Sequence, residues 1–267
     1  MRLWHQSFTV LQKLGPYNDA LQAHFRKVAR PDTEIVLHGM HEETYRTNYP
    51  GQDIRYAALM NMHGQQFITQ GLKAEAEGFD GYMVMTLPEP HLEDVRTILD
   101  IPVVGYGESA MLTAMMMGER IAVLVFIPEI GPRIVRNAAR IGISGRFAGC
   151  FPAGFAFNDV LGAFGNPGEV IEKFRASARK VIAEQGVEAI IPGEAPLCVL
   201  LATNGVTDVD GVPIVDPLAA TIKMAESLVD LRRSIGLKPH RTGHYGEKPP
   251  RDRLLEVQDF YGIGKLR

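Results

Sequence analysis

Polar side chains that can exchange protons or bind a small molecule follow several apolar runs of this 267-residue sequence. The sharpest candidate is Glu194, which comes after an apolar run and the turn Pro192-Gly193. A carboxylate shielded at a strand end has a raised pKa and can act as a general acid or base. Alternatively, Glu194 interacts with the dipole of a helix that begins at Pro196. The candidates at predicted strand ends are His5, Gln6, Ser7, His38, His41, Thr86, Glu108, Ser109 and Glu194.

Thr86 occupies the position that matches Glu194 in an internal repeat. Segments 78–88 and 186–196 share a glycine, a short apolar run, one polar residue and a proline two residues later. A threonine hydroxyl is a poor base and, without an activating neighbour, a poor nucleophile. We therefore expect Thr86 to donate a hydrogen bond to a substrate oxygen or to cap the following segment.

A metal site is the alternative chemistry of these residues. His38 and His41 are separated by two residues and followed by two glutamates, which is compatible with metal ligation by a loop. A third and a fourth ligand would be His5 and Glu194. Paired histidines near a strand end also serve as a polar lining, and His5 and His38 would then contact the substrate. We expect no cofactor in the first interpretation and a divalent metal, zinc or manganese, in the second.

The elements that position these residues alternate between strand-like and helix-like runs, which is typical of an α/β protein with parallel sheets. We predict one long helix over 54–77, from apolar positions at helical spacing, and a last helix over 217–235. Ligands gather at the carboxyl ends of the strands in such sheets. Landmarks of the first half recur in the second half in the same order, including the echo of 101–105 by 212–216. We therefore predict two pseudo-symmetric three-layer α/β half-domains, with the active site in the cleft between them. Their predicted bounds are residues 1–107 with 216–237, residues 108–215, and a C-terminal extension at 238–267 that packs on its own chain or on a neighbouring subunit.

The composition restricts the class of protein. Hydrophobic residues make up 46% and charged residues 22%, as in a globular protein with a sizeable core. The net charge of −3 and the lack of a basic tract argue against nucleic-acid binding. Two cysteines indicate a reducing compartment, and no apolar run approaches the length of a membrane span. We expect a cytoplasmic protein with a small-molecule substrate.

Four segments resemble the aspartate/glutamate/hydantoin racemase superfamily, most of all its hydantoin racemase branch, over about residues 1–235. They are Leu3–Ser7, Met85–Pro90, Pro102–Ala110 and Gly193–Pro196. The resemblance implies two α/β halves with the active site between them, and a homo-oligomer. Racemases of the family place a cysteine on each side of the substrate carbon. The matching residues here are Thr86 and Glu194, so the two-thiol mechanism does not carry over.

Three functions follow from these observations. In the leading one, an isomerase, lyase or hydrolase acts on a hydantoin-like ring or a small carboxylate. Glu194 is then the acid and base, Thr86 a hydrogen-bond donor, and Ser7, Glu108 and Ser109 position the substrate. The second is a metal-dependent hydrolase or desulfhydrase of a hydantoin or thiohydantoin ring. The third is a protein that binds a small acid without turnover.

Overall fold

Helices and parallel strands alternate along the chain in the computed structural model, which describes residues 1–263. The last four residues of the predicted C-terminal extension lie outside this part. The strands are β1 (Arg2–Gln6), β2 (Glu34–His38), β3 (Gly81–Val84), β4 (Val103–Gly105), β5 (Ile121–Val125), β6 (Phe147–Pro152), β7 (Ala189–Pro192), β8 (Asp208–Val209) and β9 (Val212–Pro213). The helices are α1 (Gly15–Val28), α2 (Gly51–Ile54), α3 (Ala57–Ala76), α4 (Leu92–Ile98), α5 (Tyr106–Met117), α6 (Gly131–Arg140), α7 (Phe157–Gly162), α8 (Gly168–Gln185), α9 (Ala195–Thr203), α10 (Pro217–Ile235) and α11 (Arg251–Phe260).

Two parallel sheets with the same strand arrangement form the core. The first has the order β2-β1-β3-β4, and the second has the order β6-β5-β7. Ile214 pairs in parallel with Ile190 of β7, at the position that β4 takes beside β3. The short antiparallel pair of β8 and β9 leads into this bridge. The sheets thus repeat one topology, which confirms the predicted α/β fold with parallel sheets.

The central strands are buried on both faces, because helices cover each sheet on its two sides. Every residue of β3, β5 and β7 is buried. Helix α10 packs against α5 and against β3 and β4 of the first sheet, while α1 of the first half packs against α9 of the second. These helix contacts hold the two sheets together around the space between their strand ends.

The sequence pattern predicted one long helix over 54–77, and the structure divides this region. Helix α2 ends at Ile54, and α3 begins at Ala57 after Tyr56, whose backbone is extended. Arg55, at the break, forms an ion pair of 2.7 Å with Glu129 of the second half. The break therefore lets α2 reach across toward the second half while α3 stays on the first sheet.

The C-terminal extension crosses the surface of the first half. Arg241 donates hydrogen bonds to the carbonyl oxygens of Arg96 and Leu99, and Lys248 forms an ion pair of 2.6 Å with Asp100. None of the residues of α11 is buried. No helix within residues 1–263 is long and apolar enough to cross a membrane. The domain bounds and the homo-oligomer stay predictions.

Candidate active site

A small pocket lies where the carboxyl ends of the two sheets face each other. The segments that follow β1, β3, β5 and β7 all contribute to its wall, and the cavity volume is about 50 Å³. Most of the lining is apolar, as in sites that enclose a small organic molecule. The lining residues are Ser7, Phe8, Thr9, Tyr49, Pro50, Gly51, Ile54, Met85, Thr86, Leu87, Pro88, Phe126, Ile127, Ile130, Phe157, Glu194, Ala195 and Pro196.

Glu194 directly precedes α9, but its side chain does not cap that helix. The carboxylate instead accepts hydrogen bonds from the loop that follows β5. The N–H of Phe126 donates to Oε1 at 3.0 Å and to Oε2 at 3.1 Å, and the N–H of Ile127 donates to Oε1 at 2.9 Å. Gly193 allows this approach, because a Cβ there would lie only 2.7 Å from Cγ1 of Val125. The carboxyl is therefore held against β5 at the wall of the pocket.

Burial gives the Glu194 carboxyl an unusual pKa. Desolvation raises its pKa from 4.5 to about 8, although the N–H groups of Phe126 and Ile127 act to lower it. No Lys or Arg lines the pocket within the described residues, so no cation there offsets the cost of the buried charge. A carboxyl with this pKa holds its proton at neutral pH and can release and regain it close to that pH. Oε2 accepts one N–H where Oε1 accepts two, so Oε2 is better able to carry the exchangeable proton.

Thr86 follows β3 and lines the same pocket as Glu194. Its side chain is half-buried, and its hydroxyl has no hydrogen-bond partner among residues 1–263. The carbonyl oxygen of Thr86 accepts the N–H of Glu89 at 3.1 Å, which closes a turn after the strand. The hydroxyl is thus available to a molecule in the pocket. The structure brings the two residues of the sequence repeat to one cavity.

Helix α6 of the second half holds the loop that carries Thr86. The carbonyl oxygen of Pro88 accepts hydrogen bonds from Nε of Arg133 at 3.1 Å and from Nδ2 of Asn137 at 3.3 Å. The carbonyl oxygen of Glu89 accepts one from Nη2 of Arg133 at 3.3 Å. The Thr86 wall of the pocket is therefore anchored by residues of the opposite half.

Ser7 lines the pocket as predicted, but its hydroxyl is engaged in a turn. It donates to Oγ1 of Thr9 at 3.1 Å and accepts the N–H of Thr9 at 3.0 Å. Gln6 supports this turn from behind, since its amide Nε2 donates to the carbonyl oxygens of Ser7 and Gly39. Thr9, which also lines the pocket, adds a hydroxyl that the sequence pattern did not indicate.

The predicted metal ligands do not come together. The His38 ring stacks on Trp4 at 3.3 Å between ring centroids. His5 follows Trp4 in β1, and neighbouring residues of a strand point to opposite faces of the sheet, so the His5 ring lies on the other face. His41 is exposed, and none of the three histidines lines the pocket with Glu194. Within the described residues, no group of three His, Cys, Asp or Glu side chains could hold a metal ion. The expected set of His5, His38, His41 and Glu194 is therefore not formed, and His5 and His38 do not contact the pocket.

Glu108 and Ser109 were expected to position the substrate, and the structure places both outside the pocket. They belong to the first turn of α5, which faces α4 and α6. Arg96 binds the Glu108 carboxylate through two hydrogen bonds of 3.1 and 3.0 Å, and Arg140 adds one of 3.0 Å. Although burial acts to raise it, the pKa of Glu108 is lowered by these two guanidinium groups. Glu108 is therefore a partly buried ion-pair residue.

Neither cysteine can serve as a racemase thiol in this arrangement. Burial raises the pKa of Cys150 to about 12 and that of Cys198 well above its ordinary value. The Cys198 thiol donates to Oδ1 of Asp216 at 3.1 Å, and neither cysteine lines the pocket. Both thiols stay protonated at neutral pH, and thiols in that state are poor nucleophiles and bases.

An aromatic wall of the pocket was not expected from the sequence. Tyr49 stacks on Phe157 at 4.6 Å between ring centroids, and Phe126 lies 6.0 Å from Phe157. Tyr49 reaches the pocket from the segment between β2 and α2, whereas the other two rings come from the second half. The turn at Tyr49-Pro50-Gly51 was the one signal in the sequence, since Pro-Gly marks a loop.

The structure thus places a buried carboxyl of raised pKa in a pocket between two related α/β halves. Residues 17–225 match the sequence model of the Asp/Glu/hydantoin racemase family. The hydantoin racemase of Pseudomonas sp. (strain NS671) is 30% identical over 226 residues, which cover 84% of each chain. The chain therefore belongs to the Asp/Glu/hydantoin racemase family, which confirms the resemblance in its motifs.

Two solved structures share the fold over nearly the whole chain. The allantoin racemase from Klebsiella pneumoniae has a TM-score of 0.76 at 23% identity, over 94% of each chain. The allantoin racemase from Pseudomonas fluorescens has a TM-score of 0.74 at 23% identity, over 94% of this chain and 98% of its own. At this level of identity the likeness concerns the fold.

Proposed function

We propose that this chain is an isomerase that removes and returns the proton on a ring carbon next to a carbonyl group in a hydantoin-like molecule. One observation carries the proposal. Glu194, the sole acidic residue of the pocket lining within residues 1–263, has a pKa of about 8 and faces an apolar cavity. A base with a pKa near the working pH is suited to proton transfer from a weakly acidic C–H group. The family and the related hydantoin racemase support the reaction class.

The proposed step uses one carboxyl group where two thiols would act in a related racemase. Ionised Glu194 takes the proton from the ring carbon, the C–H electron pair enters the ring, and the negative charge moves to the neighbouring carbonyl oxygen. Thr86 donates a hydrogen bond to the ring from the other wall. Return of the proton to the same face gives exchange without inversion. Inversion requires that the planar intermediate turn over or take a proton from water at its other face.

The lining favours a neutral ring over a small carboxylate. A carboxylate buried without a cation is costly, and no Lys or Arg side chain lines the pocket in the part of the chain that the structure describes. Amino-acid carboxylates such as aspartate would also be repelled by ionised Glu194. A hydantoin-type ring is neutral, and its carbonyl and N–H groups can pair with the hydroxyls of Thr86 and Thr9. We therefore propose a neutral ring with an apolar substituent as the substrate.

Among residues 1–263, no ligand set is assembled that would support the metal-dependent hydrolase. The remaining alternative is a protein that binds a small acid without turnover. Turnover and substrate class separate that alternative from the proposal, so both belong in the same experiment.

The experiment is hydrogen exchange in D₂O. Each enantiomer of 5-benzylhydantoin and of aspartate is incubated with the protein, exchange of the ring or α proton is followed by ¹H NMR, and inversion is followed by circular dichroism. We expect exchange with the hydantoin above its uncatalysed rate and none with aspartate. Exchange with aspartate but not with hydantoins would reverse the substrate assignment. Binding of either compound without exchange would refute the isomerase.

A further inference from the structure

We propose that the Tyr49 hydroxyl is the donor that stabilises the oxygen anion formed when the ring carbon loses its proton. This inference rests on the proposed function, and it assigns a further catalytic residue to the same site. Its basis is that Tyr49 reaches across from the first half to the pocket wall that carries Glu194, and that its hydroxyl has no hydrogen-bond partner within residues 1–263.

The surroundings of Tyr49 fix its ring in one orientation. One face stacks on Phe157 at an interplanar angle of 20°. Gly51 lies against the ring, since a Cβ there would come within 2.2–2.4 Å of its Cζ, hydroxyl and Cε2 atoms. The N–H of Tyr49 donates to Oγ1 of Thr47 at 3.2 Å, which sets the turn before it. A ring held in this way keeps its hydroxyl in place before the substrate arrives, which is the condition for effective electrostatic stabilisation.

The hydroxyl itself is free to act on a bound molecule. Among residues 1–263 it has no hydrogen-bond partner, and its residue lines the cavity together with Glu194. Burial raises the pKa of Tyr49 to about 12, and the negative charge of Glu194 acts in the same direction. The phenol is therefore neutral at all pH values where Glu194 titrates, so it donates a hydrogen bond without losing its proton.

The chemistry of the step requires such a donor. When Glu194 takes the ring proton, the C–H electron pair becomes an enolate whose charge lies on the carbonyl oxygen. The backbone N–H groups of Phe126 and Ile127 are already occupied by Glu194 and cannot stabilise that oxygen. Among the described side chains of the lining, the hydroxyls of Thr86, Thr9 and Tyr49 remain as candidates, because the Ser7 hydroxyl already donates to Thr9. Of these, the phenol is the strongest acid and therefore the strongest donor to a developing anion.

The segment around Tyr49 is attached to the second half at a second point. Arg55 forms its ion pair with Glu129, just past the loop that carries Phe126 and Ile127. Together with the stack of Tyr49 on Phe157, this pair spans the pocket from one half to the other. Tyr49, the proposed donor, and Glu194, the proposed base, are thus held in fixed positions relative to each other, although they come from different halves of the sequence.

The test compares Tyr49→Phe with Tyr45→Phe in the D₂O exchange experiment with 5-benzylhydantoin. Tyr45 is a matched control, because it is a buried tyrosine of the same segment, its hydroxyl has no partner in the described chain, and it does not line the pocket. We expect Tyr49→Phe to lower kcat for exchange about 100-fold with KM changed by less than about threefold. Tyr45→Phe should exchange at the wild-type rate.

A third variant, Phe157→Leu, separates the donor from the shape of the wall. It removes the stacking partner but keeps the hydroxyl and the contact of the ring with Gly51, so kcat should fall by less than in Tyr49→Phe. Equal kcat values for the wild type and Tyr49→Phe would overturn the role of Tyr49 while leaving the isomerase in place. A rise in KM alone for Tyr49→Phe would overturn it as well. No exchange by the wild-type protein would instead refute the proposed function itself.

Discussion

The equivalent strands β3 and β7 are each followed by a glutamate, and the side chains of these two glutamates point in different directions. After β3, Glu89 follows Thr86 by three residues and turns away from the pocket. Its Oε1 accepts the N–H of Glu108, in the first turn of α5, at 2.7 Å. After β7, Glu194 turns toward the pocket and accepts the N–H groups of the loop after β5.

The helices that follow these strands explain why the two glutamate side chains point in different directions. Helix α5 begins after Gly105, which has no side chain to cap it, so Glu89 supplies the acceptor. A Cβ on Gly105 would lie 2.2 Å from Oε1 of Glu89, so only glycine leaves room for this carboxylate. Helix α10 begins after Asp216, whose own Oδ1 accepts the N–H of Ala219 at 3.0 Å. The loop after β7 therefore has no capping role, and Glu194 is free to face the cavity.

Replacing each glutamate by glutamine tests this difference between the two strand ends, and we expect it to have the largest effect. Burial raises the pKa of Glu89 to about 7, so both carboxyls are perturbed and only their positions distinguish them. We expect Glu194→Gln to lower the rate of hydantoin exchange by about 10³-fold or more, because glutamine cannot accept the ring proton. Glu89→Gln should keep the rate within about threefold, since its amide oxygen can still accept the N–H of Glu108.

Both variants need a check of folding by circular dichroism and thermal unfolding, because each residue is buried. A folded Glu194→Gln protein with full activity would remove the base from the proposal. A folded Glu89→Gln protein that loses activity as completely as Glu194→Gln would show that the two strand ends do not differ in function.

A smaller effect concerns the other side of the pocket. Thr86→Val keeps the shape of the side chain and removes the hydroxyl, and it should lower kcat/KM for exchange about tenfold, the value of one hydrogen bond to the substrate. Thr86→Ser restores the hydroxyl and should recover most of that loss. A drop as large as that of Glu194→Gln would mean that Thr86 takes part in proton transfer and that the halves are less different than proposed.

The sequence could predict the fold and the two ends of the repeat because both depend on local patterns. Apolar runs that alternate with helices indicate parallel sheets, and the shared spacing of Thr86 and Glu194 indicates matching strand ends. Helix α10, Pro217–Ile235, has the bounds that were predicted from the sequence. The alternation of side chains along β1 could also have been predicted from the sequence. It would have placed His5 on the face of the sheet opposite to Trp4 and His38.

The rest of the site could not be read because it depends on long-range partners. Glu108 looked like a site residue since it follows a strand, but Arg96 and Arg140 from two other helices bind it. Tyr49 joins the pocket through a segment to which the sequence pattern assigned no role, and its partner Phe157 lies far along the chain. No spacing rule identifies such pairs, because only the packing of the two halves brings them together.

The smallest expected effect is on stability. The pH dependence of the free energy of unfolding distinguishes the two buried carboxyls. The folded pKa of Glu194 lies above the ordinary value of 4.5, so the fold favours the protonated form, and this stabilisation is lost as the pH rises toward about 8. The free energy of unfolding should fall by up to about 1.4 kcal/mol per pH unit for each such carboxyl. The contribution of Glu89 ends near its pKa of about 7, so between pH 7 and 8 the remaining slope of the unfolding free energy comes mainly from Glu194.

Urea unfolding at several pH values measures this slope. Between pH 7 and 8, the free energy of unfolding should be constant for Glu194→Gln and should still fall with pH for Glu89→Gln. The opposite order would assign the higher pKa to Glu89, whose carboxyl lies outside the pocket.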